Sequence, residues 1–192
     1  MSFNGNNRNT VIRILHDVGG ASWFGGSLMG AVALNGASRD IKDPTDRSRI
    51  AADGWGRWSP VAAASIGAHV LGGIGLLIAN RDRVRGQDGV GANTAVKTAL
   101  TVAALASTAY SGVLGTQLAA ADDRYATESG TVPDENTPDR VAKIQNQLRV
   151  MQWVTPVLTG VLVALGAQQG EQQKAGQVLS GKAAKAARRF RG

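Results

Sequence analysis

The chain has 192 residues, a formal net charge of +7 from 21 Lys and Arg against 14 Asp and Glu, and a mean hydropathy of -0.09. That length admits one soluble domain or one small group of membrane helices, and it leaves no room for two large domains. With no cysteine present, disulfides, thiolate metal sites and cysteine nucleophiles are all excluded.

The near-neutral hydropathy conceals a segregation of charge. Uncharged windows run from Val18 to Arg39, Arg57 to Arg81, Lys97 to Asp122 and Arg149 to Glu171, each about twenty residues or more, the length of a bilayer crossing. A soluble bundle of buried helices is the competing reading, but it needs a polar face on every helix. The third window, Thr98 to Ala121, offers only Ser, Thr, Tyr and Gln for one. The expected fold is therefore all-α, an integral membrane four-helix bundle of up-and-down topology, with spans at about 14–37, 59–80, 97–121 and 148–169.

Residues 1–12 include Asn4, Asn6, Asn7 and Asn9 and read as a disordered polar tether without the cationic and apolar segments of a signal peptide. Residues 13–171 form the four-span unit. In the first span, His16 beside Asp17 is expected at the cytoplasmic interface as a helix-orienting pair or a proton group. Ser22, Gly26 and Gly30 leave one face nearly bare, so that another helix can approach closely. The first loop contains Pro44 and mixes basic with acidic residues.

The second span opens at Trp58-Ser59-Pro60 and carries the small residues Ala64, Ala68 and Gly72. His69 falls at its midpoint, where a titratable group requires a polar partner. It is either a neutral imidazole hydrogen-bonded across the bundle or part of an intramembrane polar site with Thr108 and Gln117. In the third span Ala104, Thr108 and Gly112 make a further small-residue ladder. Trp55, Trp58 and Trp153 are simplest as interfacial anchors. The third loop is irregular at Pro133 and Pro138, and Lys143, Asn146 and Gln147 extend a helical pattern into the fourth span.

Residues 172–192 form a basic amphipathic tail. Lys182, Lys185, Arg188, Arg189 and Arg191 stand among alanines at helical spacing and suit anionic lipid headgroups. The basic count over the N-terminus, second loop and tail, twelve against nine for the other loops, places both termini in the cytoplasm. The positive charge is thus read as topological, and no nucleic-acid partner is expected; the expected partners are membrane lipids and a homodimer or larger membrane complex. Fifteen arginines against six lysines in an Ala- and Gly-rich chain resemble the coding bias of a GC-rich bacterium, and hence a bacterial plasma membrane.

Phe24-x-Gly26-x-Leu28 matches Tyr110-x-Gly112-x-Leu114 at an offset of 86 residues, with Ser22 against Thr108. A 2+2 parallel repeat and chance similarity both account for it. His16 and His69, placed relative to their span centres, are expected about twelve residues or about 18 Å apart in depth, too far to ligate one haem. A haem between two His69 residues of a dimer is the one cofactor route left open. No His-x-x-x-His pair, phosphate loop or nucleophile elbow occurs, so no metal site and no soluble-type enzyme chemistry is expected.

Through His16 and Trp23-Phe24-Gly25-Gly26 the first span resembles the opening helix of the copper resistance D and TMEM205-like group, whose members show a histidine followed by Trp-x-Gly-Gly. Met151-Gln152-Trp153 through Gln173 looks like the last span of small four-span membrane proteins of actinobacteria, which implies an architecture and no activity. Three functions follow as expectations: a non-enzymatic packing or accessory subunit, a small transporter with a path near His69, and a haem- or quinone-linked redox subunit.

Overall fold

A computed structural model describes residues 5–81, 90–121 and 124–172; the basic residues Lys182, Lys185, Arg188, Arg189 and Arg191 lie outside the described residues. Four long helices account for most of it: α1 Gly5–Met29, α2 Arg47–Ala79, α3 Val90–Ala119 and α4 Asp139–Gln172. Of these, α2, α3 and α4 are long and apolar enough to cross a membrane.

The helices outrun the uncharged windows. α1 starts at Gly5 rather than near residue 14, taking in most of the stretch read as a disordered tether, and α2 starts at Arg47 rather than near 59. Uncharged length reports contact with hydrocarbon, whereas helix length reports backbone hydrogen bonding, which charged turns continue readily in water. Pro60 and Pro156 therefore sit inside helices and not at their entries. Beside Pro60 the Ser59 hydroxyl donates to the Trp55 carbonyl at 2.9 Å, and beside Pro156 Thr159 donates to the Thr155 carbonyl at 2.8 Å.

α1 continues beyond Met29 through a π turn, Gly30–Leu34, in which the Asn35 amide donates to the Gly30 carbonyl five residues back. A short helical turn, Asn35–Ala37, and a 3-10 turn, Ser38–Asp40, end it. In the following loop, the Thr45 hydroxyl and amide both donate to Asp43 Oδ1, at 2.7 and 2.9 Å, and hold that carboxylate below its usual range.

α1 packs between α2 and α4, and α3 packs on α4, while α2 and α3 touch only lightly. Partners run in opposite order along α1 and α2 (Gly26 with Trp58, Gly30 with Trp55), along α1 and α4 (Phe24 with Gly160, Asn35 with Gln152), and along α3 and α4 (Ser107 with Thr155, Tyr110 with Gln147). Each of these pairs is antiparallel. At one end, Leu114 and Leu118 of α3 meet Val141 and Ile144 of α4 in a small apolar cluster, with Tyr125 and Leu148 against it.

An element absent from the all-α expectation closes that end. Strands β1 Thr127–Ser129 and β2 Val132–Pro133 form an antiparallel hairpin with Thr127 opposite Pro133, Ser129 opposite Val132 and a register irregularity between Thr127 and Ser129. Thr127 and Ser129 point inward and Glu128 outward. Two such short strands acquire stability only by burial against the helices.

The distribution of polarity is inverted relative to a water-soluble protein. Among the described residues, Ser65, His69, Ser107, Gln145, Thr155 and Thr159 are buried, whereas Leu71, Ile78, Val18, Val150 and Val157 are each more than 60% exposed. Polar groups inside and branched aliphatics outside are what a hydrocarbon solvent requires.

Candidate functional site

Close backbone approaches between α1 and α2 surround the two histidines. His16 Nδ1 donates to the His69 carbonyl at 2.9 Å, and His69 Nδ1 donates to the His16 carbonyl, also at 2.9 Å. The rings stack with centroids 4.1 Å apart and planes 19° apart. Because a carbonyl can only accept, both rings carry a proton on Nδ1, and in the neutral imidazole each Nε2 keeps a lone pair.

Glycines make this reach geometrically feasible. A β-carbon on Gly19 would stand 2.5 Å from the Ser65 carbonyl oxygen and 2.6 Å from the His69 nitrogen. One on Gly72 would stand 2.5 Å from the His16 nitrogen and 2.8 Å from the Ile12 carbonyl oxygen. Gly20 faces the His69 ring and Gly73 the His16 ring. The contacts are therefore reciprocal, and the sequence carries their cause: His16-x-x-Gly19-Gly20 recurs as His69-x-x-Gly72-Gly73. On antiparallel helices the two copies read each other and make the same contact twice.

The expected 18 Å separation of the histidines is thus overturned. That value compared two uncharged windows as if level, but in the structure α1 and α2 are staggered, so that His69 at the middle of its window meets His16 ahead of the other. His16 is a partner of His69 and not an isolated interfacial group. Asp17 is exposed, and with Lys97 of α3 it acts electrostatically on both imidazoles.

Trp23 completes the site. It is 2% exposed, stands edge-on to His69 with centroids 6.1 Å apart, and donates from Nε1 to the Thr108 hydroxyl at 3.2 Å. Ser65 donates to Ser22 at 2.9 Å one turn away. Thr108 is therefore linked to His69 through Trp23, whereas Gln117, nine residues further along α3 or about 13 Å by helical rise, is exposed and does not join them.

The small-residue seams divide likewise. A β-carbon on Gly19 would stand 3.1 Å from that of Ala68, and Gly26 and Gly30 are notches filled by the indoles of Trp58 and Trp55 rather than by a helix backbone. Trp55 and Trp58 are thus packing residues where interfacial anchors were expected; Trp153, 47% exposed, remains outward. A β-carbon on Gly112 would meet nothing within 4 Å, so its face has no close neighbour, unlike that of Gly26 in the proposed repeat.

A second polar cluster closes the hairpin end. Buried Asn35 accepts from Trp55 Nε1 at 2.9 Å and donates to Gln152 Oε1 at 2.9 Å. The Ser38 hydroxyl, bonded to the Asn35 carbonyl at 2.7 Å, accepts from the Gly130 amide at 2.8 Å. Gln145 Nε2 donates to the Ser129 carbonyl at 3.2 Å, and Arg47 donates to the carbonyls of Ile41 and Thr127. Asn35→Ala strands the Trp55 N–H, a loss of about 1–3 kcal/mol when buried, and leaves Gln152 Oε1 only its 3.5 Å contact with the Thr131 hydroxyl. The hairpin of this variant is expected to be nicked faster by protease than that of the wild type; equal resistance would show that Asn35 does not hold the cap.

The stacked histidine rings do not bracket a haem. Axial ligands stand on opposite faces of a porphyrin, and two imidazoles in face contact leave no space between them. Among the described residues, no group of three or more His, Asp or Glu side chains is placed to hold a metal ion. The chain matches no protein family, no curated protein and no solved structure.

Proposed function

We propose that this chain is a non-enzymatic four-span membrane protein of a bacterial plasma membrane that serves as a packing or accessory subunit, with α1 as the first span of a four-helix bundle. The observation that supports this reading is the use of its intramembrane polar groups. His16, His69, Trp23, Thr108, Ser22 and Ser65 all bond across helix interfaces. Groups bonded in this way serve helix packing, and the exposed aliphatic faces of α2 and α4 offer contact to lipid or to a companion subunit. In mild detergent the native protein is expected to retain a stoichiometric companion or a second copy; a strict monomer with no companion counts against the reading.

The light contact between α2 and α3, beside His69 and Thr108, supports a second reading as a small permeation unit. It differs in outcome: solute uptake by reconstituted vesicles would then depend on His69.

Both termini are placed in the cytoplasm on the basic count. A chain without cysteine makes this directly measurable. A membrane-impermeant maleimide applied to intact cells should label Glu135→Cys, between the hairpin and α4, and spare Asn9→Cys until lysis; the opposite pattern inverts the orientation.

A further inference from the structure

We propose that the His16/His69 stack is an intramembrane proton-binding site that takes up one proton per pair well before a second. Four observations carry it. Both Nδ1–H groups are committed to carbonyls at 2.9 Å, so the only sites for an added proton are the two Nε2 lone pairs. The rings are in face contact at 4.1 Å, so a charge on one imidazole lies against the other, and groups coupled this closely bind protons as a unit. His69 is 5% exposed, so water screens that coupling weakly. The contact is also reciprocal, with glycine facing each ring, so neither imidazole can swing away from a charged partner without parting the helices.

The charged surroundings are few. On α1, Arg13 and Asp17 act on His16; Lys97 of α3 and Asp17 act on both rings; α2 contributes only His69 itself, and no group of α4 is among these influences within the described residues. The proton moves from hydronium to one Nε2, leaving water, and no other bond is broken. A singly charged imidazolium strengthens its own Nδ1–H bond to the facing carbonyl, so the clasp survives the first proton. The junction of α1 and α2 thereby carries a charge of zero or one set by pH. The proposal stands whether or not the accessory reading holds, because it concerns proton stoichiometry and not partners.

The chain holds two histidines, so the full-length protein with isotope-labelled histidine in lipid nanodiscs gives two imidazole signal sets by nitrogen-15 NMR. At pH 9 both should show the Nδ1–H tautomer. On acidification, one imidazolium per chain should form first, with the second appearing only at about tenfold or more higher proton concentration. His16→Gln, which keeps a donor for the His69 carbonyl, should leave a single one-step titration. An Nε2–H tautomer in either ring, two imidazoliums forming at one midpoint, or no protonation down to pH 4 would each overturn the proposal. The wild-type measurement decides even if the variant fails to fold.

Discussion

Gly19→Ala is expected to part α1 from α2 and to cost about 3 kcal/mol or more of stability. The added methyl would lie 2.5 Å from the Ser65 carbonyl oxygen and 2.6 Å from the His69 nitrogen. Both are backbone atoms of a continuous helix, so no rotamer change relieves the overlap, which puts the loss at or beyond the upper end of the usual 1–3 kcal/mol or so for overpacking. The helix must retreat, and with it go both histidine hydrogen bonds. Gly25→Ala on the same helix is the control, because a β-carbon there meets nothing within 4 Å. It should be neutral, or stabilising by up to about 1 kcal/mol from helix propensity. Thermal unfolding of the detergent-purified variants followed by circular dichroism compares them. If Gly19→Ala melts with Gly25→Ala, the close crossing is wrong. Gly72→Ala should repeat the Gly19 result, and the double variant should lose less than the two losses added, since either change alone already opens the contact.

Trp23→Ala is expected to be the most damaging truncation of a single side chain, at about 3–5 kcal/mol. The indole is 2% exposed, touches His69 edge-on and bonds Thr108. Because it links side chains of α1, α2 and α3, its removal leaves a cavity that no one helix can fill by a small shift. Trp23→Phe keeps most of the packing and loses the hydrogen bond, for a smaller loss of about 1–2 kcal/mol, while Thr108→Val strands only the indole N–H at about 1 kcal/mol. The order Ala, then Phe, then Val at Thr108 in unfolding temperature is the diagnostic. A Trp23→Ala protein within about 1 kcal/mol of the wild type would mean that the ring is not part of the core.

Helix number and alternating direction were legible from the uncharged windows, because charge is costly in hydrocarbon and so marks where a crossing must stop. Helix ends were not, since Arg47 to Arg57 and Asp139 to Arg149 are charged yet helical. The hairpin escaped notice because its strands are two and three residues long and Thr127 and Ser129 turn polar side chains inward, so no hydrophobic alternation existed to find. At the site, His69 was legible as a titratable group in an apolar window. Its bond to His16 was hidden by helix stagger, and the signal that would have revealed it was the repeated His-x-x-Gly-Gly at a spacing of 53 residues. The Gly26 and Gly30 notches were read as helix seams because spacing reports an empty face without saying what fills it.

The π turn at Gly30–Leu34 makes α1 two rods on one axis with different rotational phase. One residue beyond the ordinary repeat turns everything that follows by about 100°, and Val32 within that turn is left pointing outward, 58% exposed. The rod before it is indexed to the histidine clasp and the rod after it to Asn35 and the hairpin cap. Like a clutch between two shafts, the extra residue gives the cap a rotational phase of its own, about 28 Å along the helix from the clasp.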